Sequence, residues 1–310
     1  MIVTVTANTT IDLNVFIPEL VPNTTIRAGR TLQSMGGKPT DASWILGELG
    51  IPSLALGFAG GPTGKKVEAM LLARGAQPDF IWVEGDTRIN VVIVDEANHT
   101  HTTITTTTME IAPEQVDALR ERYLAALDGA SCVVLGGTLP KGLEPSFYSD
   151  LIGLARARAI PVIFDAAEPN LSAGLQAGPT YIKPNRDELQ QVTGKTIHSL
   201  DDAYHAGRAL YERYGASPVI TLGGEGALAV LPDRAYRIPP LQVEVVSPAG
   251  AGDAVLAGLA ASIERGQPIE EGLRLGVAAA TAVLLMPGTA DCRREDVDRF
   301  LPQVELIPYP

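Results

Sequence analysis

The chain has 310 residues, 45% of them hydrophobic, with 36 acidic against 24 basic side chains and a formal net charge of -12. That length and apolar content suffice to bury a large core and argue against disorder. The negative charge, and the lack of a basic run long enough to track a phosphate backbone, exclude DNA and RNA as expected partners. Two cysteines, Cys132 and Cys292, are too few and too far apart for a disulfide framework or a zinc site, and reduced, buried thiols are expected.

The N-terminal MIVTVTANTT lacks the basic flank and apolar core of a signal peptide and reads as a first strand over 2–6. Residues 10–35 and 87–108 hold strand-like runs with no helix between them, and TTITTTT at 102–108 is β-prone but poor in large apolar groups. These two insertions are expected to form a small β-sheet lid over the carboxyl ends of the main strands, with two ordinary edge hairpins as the alternative. Further strands are expected near 54–58, 132–135, 161–164, 180–182, 218–222 and 227–231. Pro113 opens a helix through Leu127 with apolar positions at Val116, Leu119, Tyr123, Leu124 and Leu127; others fall near 146–158, 201–214, 253–265 and 270–285.

This alternation predicts an α/β fold over 1–310, one domain with a mainly parallel sheet and helices on both faces. The longest apolar stretch, 277–286, ends at Pro287, short of the roughly 20 residues of a membrane span, so no membrane partner and a cytoplasmic setting are expected.

The segment 243–260, VEVVSPAGAGDAVLAGLA, runs a strand into Gly250-Ala251-Gly252-Asp253 and then into a small-residue helix. Glycines at such a turn let successive N–H groups converge on an anion at a helix start, with Asp253 at its mouth. In phosphoryl transfer Asp253 would be the general base; a helix cap is the plainer reading. Other phosphate motifs fail. GGPTGKK at 60–66 has Ala59 and Lys66 where a P-loop needs Gly and Ser or Thr, and GAGDAV has Val255 at the third glycine of a dinucleotide fingerprint. His99 and His101 share a strand face without further ligands, His198 and His205 read as solvated, and no Ser-His-Asp arrangement is evident.

Gly36-Gly37-Lys38, GGTLPKG at 136–142, KPNRDEL at 183–189, TLGGEGAL at 221–228 and SPAGAGD at 247–253 occur in that order. Together they resemble the PfkB, or ribokinase-like, carbohydrate kinases over essentially the whole chain. TANTTID at 6–12 and TRIN at 87–90 are most similar to the branch of 1-phosphofructokinase, tagatose-6-phosphate kinase and the minor 6-phosphofructokinase. The resemblance implies a three-layer fold, ATP with Mg²⁺, a possible monovalent cation, and transfer to a sugar or sugar phosphate. It implies Asp253 as base, with the amides of Gly250, Ala251 and Gly252 neutralising the moving phosphoryl group. Lys183 and Asn185 would lie beside the nucleotide phosphates, Glu188 would order magnesium through water, and Thr221, Gly223 and Gly226 would flank the nucleotide. Asp12, Gly36, Gly37, Lys38, Asp41 and Asn90 would contact the sugar. Arg27, Arg88 and Thr138 would face its phosphate, where a guanidinium can donate two parallel hydrogen bonds.

Departures matter too. GGKPTDAS replaces the family's GGKGxNVA, putting Pro39 for a glycine and Asp41 for an asparagine. Pro39 removes a donor and Asp41 adds negative charge, so an altered sugar pocket is expected. Ser247, Pro248 and Ala249 differ from the usual residues before GAGD, and AAEPN after Asp165 lacks a common serine-glycine. A kinase of a non-phosphorylated sugar, polyol or nucleoside, and a catalytically degenerate binding protein, are therefore the alternatives. The threonine-rich lid edge is expected to pair between two subunits.

Overall fold

The computed structural model describes residues 1–98, 100–107 and 109–310. β1 (Ile2–Thr6) is buried along its whole length and pairs in parallel with β4 (Ser53–Ala59) on one side and β8 (Cys132–Gly136) on the other. From β4 the sheet continues to β5 (Gln77–Trp82); from β8 it continues through β9 (Val162–Asp165) and β10 (Tyr181–Ile182) to β11 (Ser217–Thr221), all parallel. Three antiparallel strands, β12 (Ala227–Val230), β13 (Ala235–Ile238) and β14 (Ile307–Tyr309), extend that edge.

Period-two alternation sends Val3, Val133 and Leu135 to one face and Ile2, Cys132 and Val134 to the other. The first face packs against α3 (Pro113–Leu127), α4 (Ser146–Arg156), α5 (Asn170–Gln176), α6 (Arg186–Thr193) and α7 (Leu200–Tyr214). The second packs against α1 (Lys38–Glu48), α8 (Ala251–Glu264), α9 (Ile269–Leu284) and α10 (Arg294–Phe300). The result is the expected three-layer arrangement, and both cysteines are free and buried.

The lid is also as expected. β2 (Thr10–Ile17), β3 (Arg30–Gly36), β6 (Arg88–Asp95) and β7 (Thr100–Ile104) form a separate sheet in the order β3-β2-β6-β7. β2 pairs in parallel with β6, so Asp12 lies beside Asn90 and Thr10 beside Arg88. The lid is tied to the main body where the Thr289 N–H donates to Ser34 Oγ at 2.9 Å.

Several elements escape the sequence pattern. α1 and α2 (Gly61–Ala73) begin at Gly-Pro or Lys-Pro dipeptides that look like breakers, but Pro39 and Pro62 sit in first turns, where an amide proton has no helical acceptor. Pro39 is therefore a buried helix-start residue, set between Lys38 and Asp41, which line the cavity described below. Pro78 is compatible with β5 because β5 is an edge strand. No helix among the described residues is long and apolar enough to cross a membrane.

Candidate active site

The carboxyl ends of β1 and β8, the lid, and the starts of α1 and α8 enclose a cavity of about 280 Å³. The lid supplies Thr10, Asp12, Arg88, Asn90 and Val92; the body supplies Gly37, Lys38, Asp41, Thr138, Gly250 and Asp253. Asn90 Nδ2 donates to Asp12 Oδ1 at 3.1 Å, a cross-strand bond that follows from the parallel β2–β6 register. Burial raises the Asp12 carboxyl above its ordinary range, with Asn90 and the Arg88 charge pulling it back. Gly36 packs directly on Asp12: a Cβ there would come within 2.6 Å of Oδ1. Arg88 donates to Thr138 Oγ1 at 3.0 Å, and Asn8 Nδ2 donates to the same oxygen at 3.2 Å. Lid and body thus meet at Thr138.

At the other end of the cavity, Gly250 takes a left-handed conformation (φ 80°) immediately before α8. A Cβ there would stand 2.3 Å from Ala290 N, so only glycine fits. The Ala251 N–H is turned back to Pro248 O at 3.3 Å and the Asp253 N–H to Gly250 O at 3.0 Å, so of the three amides assigned to the anion, that of Ala251 already has an acceptor. Asp253 is surrounded by protein yet opens to the cavity. Burial, followed by the negative charge of Asp165, pushes its carboxyl up to about 7, while Lys38, Lys183 and a hydrogen bond from Asp41 act in the opposite direction. A carboxylate poised there can take a proton from a hydroxyl at neutral pH.

Between the turn and the sheet lies an ionic cluster. Lys38 Nζ stands 2.7 Å from Asp165 Oδ1 and 3.3 Å from Glu188 Oε1; Lys183 Nζ stands 3.0 Å from Asp165 Oδ2. Burial opposes the Lys38 charge, but Asp165, Glu188 and Asp253 outweigh it and raise its pKa. Burial likewise opposes the Asp165 charge, and Lys183 and Lys38 overcome it, lowering that carboxyl below its usual range. Asp165 is a site residue that motif reading missed. Its signal was its place at the end of a parallel strand, where α/β proteins gather ligand groups. Thr289, His101 and Thr103 also line the cavity and were not anticipated; His101 reaches it from β7, and His99 lies outside the described residues.

The remaining predicted positions form a second group. Asn185 caps α6: its side chain accepts the Glu188 N–H at 2.9 Å, while Glu188 Oε2 accepts the Asn185 N–H at 2.9 Å. Thr221 N donates to Pro184 O at 3.0 Å, which brings the 221–226 turn beside the Lys183–Asn185 turn. A Cβ on Gly252 would lie 3.2 Å from Lys183 Nζ, so this group adjoins the α8 start. Gly223 faces open space, whereas Gly226 (φ 92°) is required by β13, where a Cβ would meet Ile238 O at 2.1 Å. Arg27 alone is left apart. It is exposed on the segment between β2 and β3, over a different hollow lined by Pro18, Glu19, Thr25 and Ile26.

Among the described residues no three His, Cys, Asp or Glu side chains converge as a direct metal cage. Glu188 spends one oxygen on Asn185 and the other on Lys38, which suits a carboxylate that meets Mg²⁺ through its water shell.

A buried carboxyl pushed up to about 7 at a glycine turn on a helix start, an ionic cluster of two lysines and two carboxylates behind it, and a lidded cavity of sugar-sized volume go with the ribokinase-like fold of a small-molecule phosphotransferase. The chain belongs to the pfkB family carbohydrate kinase group, whose pattern matches residues 2–296. It is 30% identical over 307 residues to a 1-phosphofructokinase of Borreliella burgdorferi, covering 99% of this chain and 98% of that one. It is 28% identical over 310 residues to a tagatose-6-phosphate kinase of Staphylococcus epidermidis, covering 99% of each. Among solved structures it superposes on phosphofructokinase-2 from Escherichia coli in complex with potassium, with a TM-score of 0.89 at 26% identity over 97% of this chain and 98% of that one.

Proposed function

We propose that the protein transfers the γ-phosphoryl group of ATP to a hydroxyl of a sugar phosphate, of the fructose 1-phosphate, fructose 6-phosphate or tagatose 6-phosphate type. The observation that carries this reading is one cavity in which Asp253 and the Gly250 turn face Asp12, Asn90, Arg88 and Thr138. Asp12 and Asn90 orient the sugar hydroxyls, and Arg88 with Thr138 receives the acceptor's phosphate. Asp253 takes the proton as the acceptor oxygen attacks the γ-phosphorus and the bond to the bridging oxygen of ADP breaks. Lys38, Lys183, Asn185 and the free amides of the turn line the nucleotide's phosphate path, with Thr221 and Gly223 flanking the nucleotide. Glu188 would hold Mg²⁺ through its water shell, and the ion would supply charge neutralisation to the phosphates there.

The potassium named with the bacterial neighbour supports a monovalent cation beside the 247–250 loop. Ala249 O accepts the Ala290 N–H there at 3.0 Å, and such an ion would fix the turn ahead of Gly250. The open edges β3 and β7 support a homodimer built through the lid, within one catalytic domain over 1–310. Two buried, unpaired cysteines fit a reducing cytoplasmic setting.

A second reading, transfer to a non-phosphorylated sugar, polyol or nucleoside, is favoured by the acidity of the cavity. Asp12, Asp41 and Asp253 face Arg88, with Lys38 committed to other carboxylates and Arg27 outside. ATP turnover on a panel of sugars, sugar phosphates and nucleosides decides between them, with Arg88→Ala alongside. A sugar-phosphate kinase loses affinity heavily in that variant and a neutral-acceptor kinase barely responds. Ligand binding with no turnover on any acceptor would leave a degenerate binding protein.

A further inference from the structure

Asp41 stands where the related pattern has asparagine, and the mechanism above gives it no task. It lies in the first turn of α1, 2% exposed, with its N–H donated to Gly37 O at 2.8 Å. Its carboxyl is within hydrogen-bonding reach of Asp253, and its Oδ1 is buried without a hydrogen-bond partner among the described residues. Nearby cations are engaged elsewhere: Lys38 with Asp165 and Glu188, Lys183 with Asp165, Arg88 with Thr138. Two carboxylates cannot form a hydrogen bond without a proton between them, and of two buried carboxyls in contact the one that no lysine or arginine meets is the one that keeps it: Lys38 and Lys183 act on Asp253, not on Asp41. A carboxylic acid offers one donor and one acceptor oxygen, the same functions in nearly the same shape as an asparagine amide.

We propose that Asp41 holds a proton in the resting enzyme and donates it as a hydrogen bond to the Asp253 carboxylate, acting as a positioning residue of the base. A neutral Asp41 also leaves the cavity one negative charge lighter for an anionic acceptor. The groups facing it agree: Asp253 from α8 and Asp12 from β2 are acidic, and the Arg88 charge from β6 is shared with Asp12. Burial, then the charges of Asp253 and Asp12, hold the Asp41 proton well above the ordinary carboxylate range. The inference rests on the kinase reading for its catalytic consequence, but not for the proton itself.

Two measurements separate these. Infrared difference spectra of the unliganded protein, wild type minus Asp41→Asn at pH 7, should carry the carbonyl band of a protonated carboxyl; carboxylate bands alone would overturn the proposal, whatever the activity. In steady-state kinetics with fructose 1-phosphate and fructose 6-phosphate, Asp41→Leu should lower kcat at least about tenfold, because a hydrogen bond to a charged group is lost, and move the acid limb to higher pH. Asp41→Asn, with its own donor, should recover most of that loss and return the limb, and should lack the alkaline rise in KM expected of wild type as Asp41 ionises. Identical acid limbs in Leu and Asn variants would also overturn it. Absence of turnover on both sugars counts against the acceptor reading and leaves the infrared result to decide the proton. If Asp41→Asn does not fold, Asp253→Asn replaces it: the Asp41 band must shift when its acceptor changes, and an unmoved band refutes the hydrogen bond.

Discussion

Lys38→Met removes a charge that the structure uses three times. Its ammonium stands 2.7 Å from Asp165 and 3.3 Å from Glu188, and it holds down the Asp253 carboxyl. At an effective dielectric of about 20 the two contacts amount to about 6 and 5 kcal/mol of gross attraction, most of which offsets the desolvation of a largely enclosed lysine. Breaking a buried pair costs about 3–5 kcal/mol, and the lower end applies because Asp165 keeps Lys183 and Glu188 keeps the Asn185 N–H. With an unfolding entropy of about 2.1 cal/mol/K per residue, a loss of about 3 kcal/mol lowers Tm by about 5 °C. The catalytic consequence is separate and larger. Without Lys38 the acid limb of kcat, expected near 7 from Asp253, should move to higher pH. A cation beside the phosphate path should be worth about 10²-fold in kcat. Calorimetry and pH-dependent ATP turnover at saturating acceptor measure the two effects independently. A variant with an unmoved acid limb and a kcat within threefold of wild type refutes the placement of Lys38 between the sheet carboxylates and the base.

Arg88→Ala should raise KM for a phosphorylated acceptor by about 10²-fold, the loss of a charge-assisted contact of about 3 kcal/mol, with kcat less affected; steady-state kinetics with and without a phosphate on the sugar checks this. For wild type, kcat should climb as pH rises through about 7, because Asp253 must lose its proton to act. The same raised pKa has the opposite sign for stability: the folded state favours the proton, so its contribution is full below about 3.8 and is lost as pH rises to about 7. Asp253→Asn should therefore abolish turnover and make the fall in Tm across that window shallower than in wild type, the remainder coming from the raised carboxyls of Asp41 and Asp12; a fall as steep as wild type assigns the effect elsewhere. Gly250→Ala forces a Cβ against Ala290 N at a positive φ, and should cost about 1–3 kcal/mol of stability together with most activity. Tyr148→Phe removes the hydroxyl that donates to Gly136 O at 2.6 Å, and should cost about 1 kcal/mol and raise acceptor KM severalfold by loosening the turn that carries Thr138.

What the sequence determined by itself was local and periodic. The buried run 2–6, the stripe from Pro113 to Leu127 and the strand-like segments at 10–35 and 87–108 pointed to a parallel sheet, its helices and a lid, because burial patterns with periods of 2 and 3.6 need no knowledge of partners. Helices opening at Lys38-Pro39 and Gly61-Pro62 were illegible, since a proline signals a stop until the start of the helix is known. The motif positions Asp12, Lys38, Arg88, Thr138, Lys183, Glu188 and Asp253 were likewise visible, Asp12 and Arg88 near the starts of lid strands and the others just after a strand or in the first turn of a helix. Only the tertiary structure decided what they do to one another. It set Asn90 beside Asp12 through an interstrand register, closed Asp165 between two lysines from different elements, and left Arg27 outside the cavity. It also brought Asp41 against Asp253 across more than two hundred residues of chain. A substitution that adds a charge in sequence thereby becomes, through contact and burial, a place where a proton is held, because ionisation depends on the distance to other charges and to water and neither is written in the order of residues.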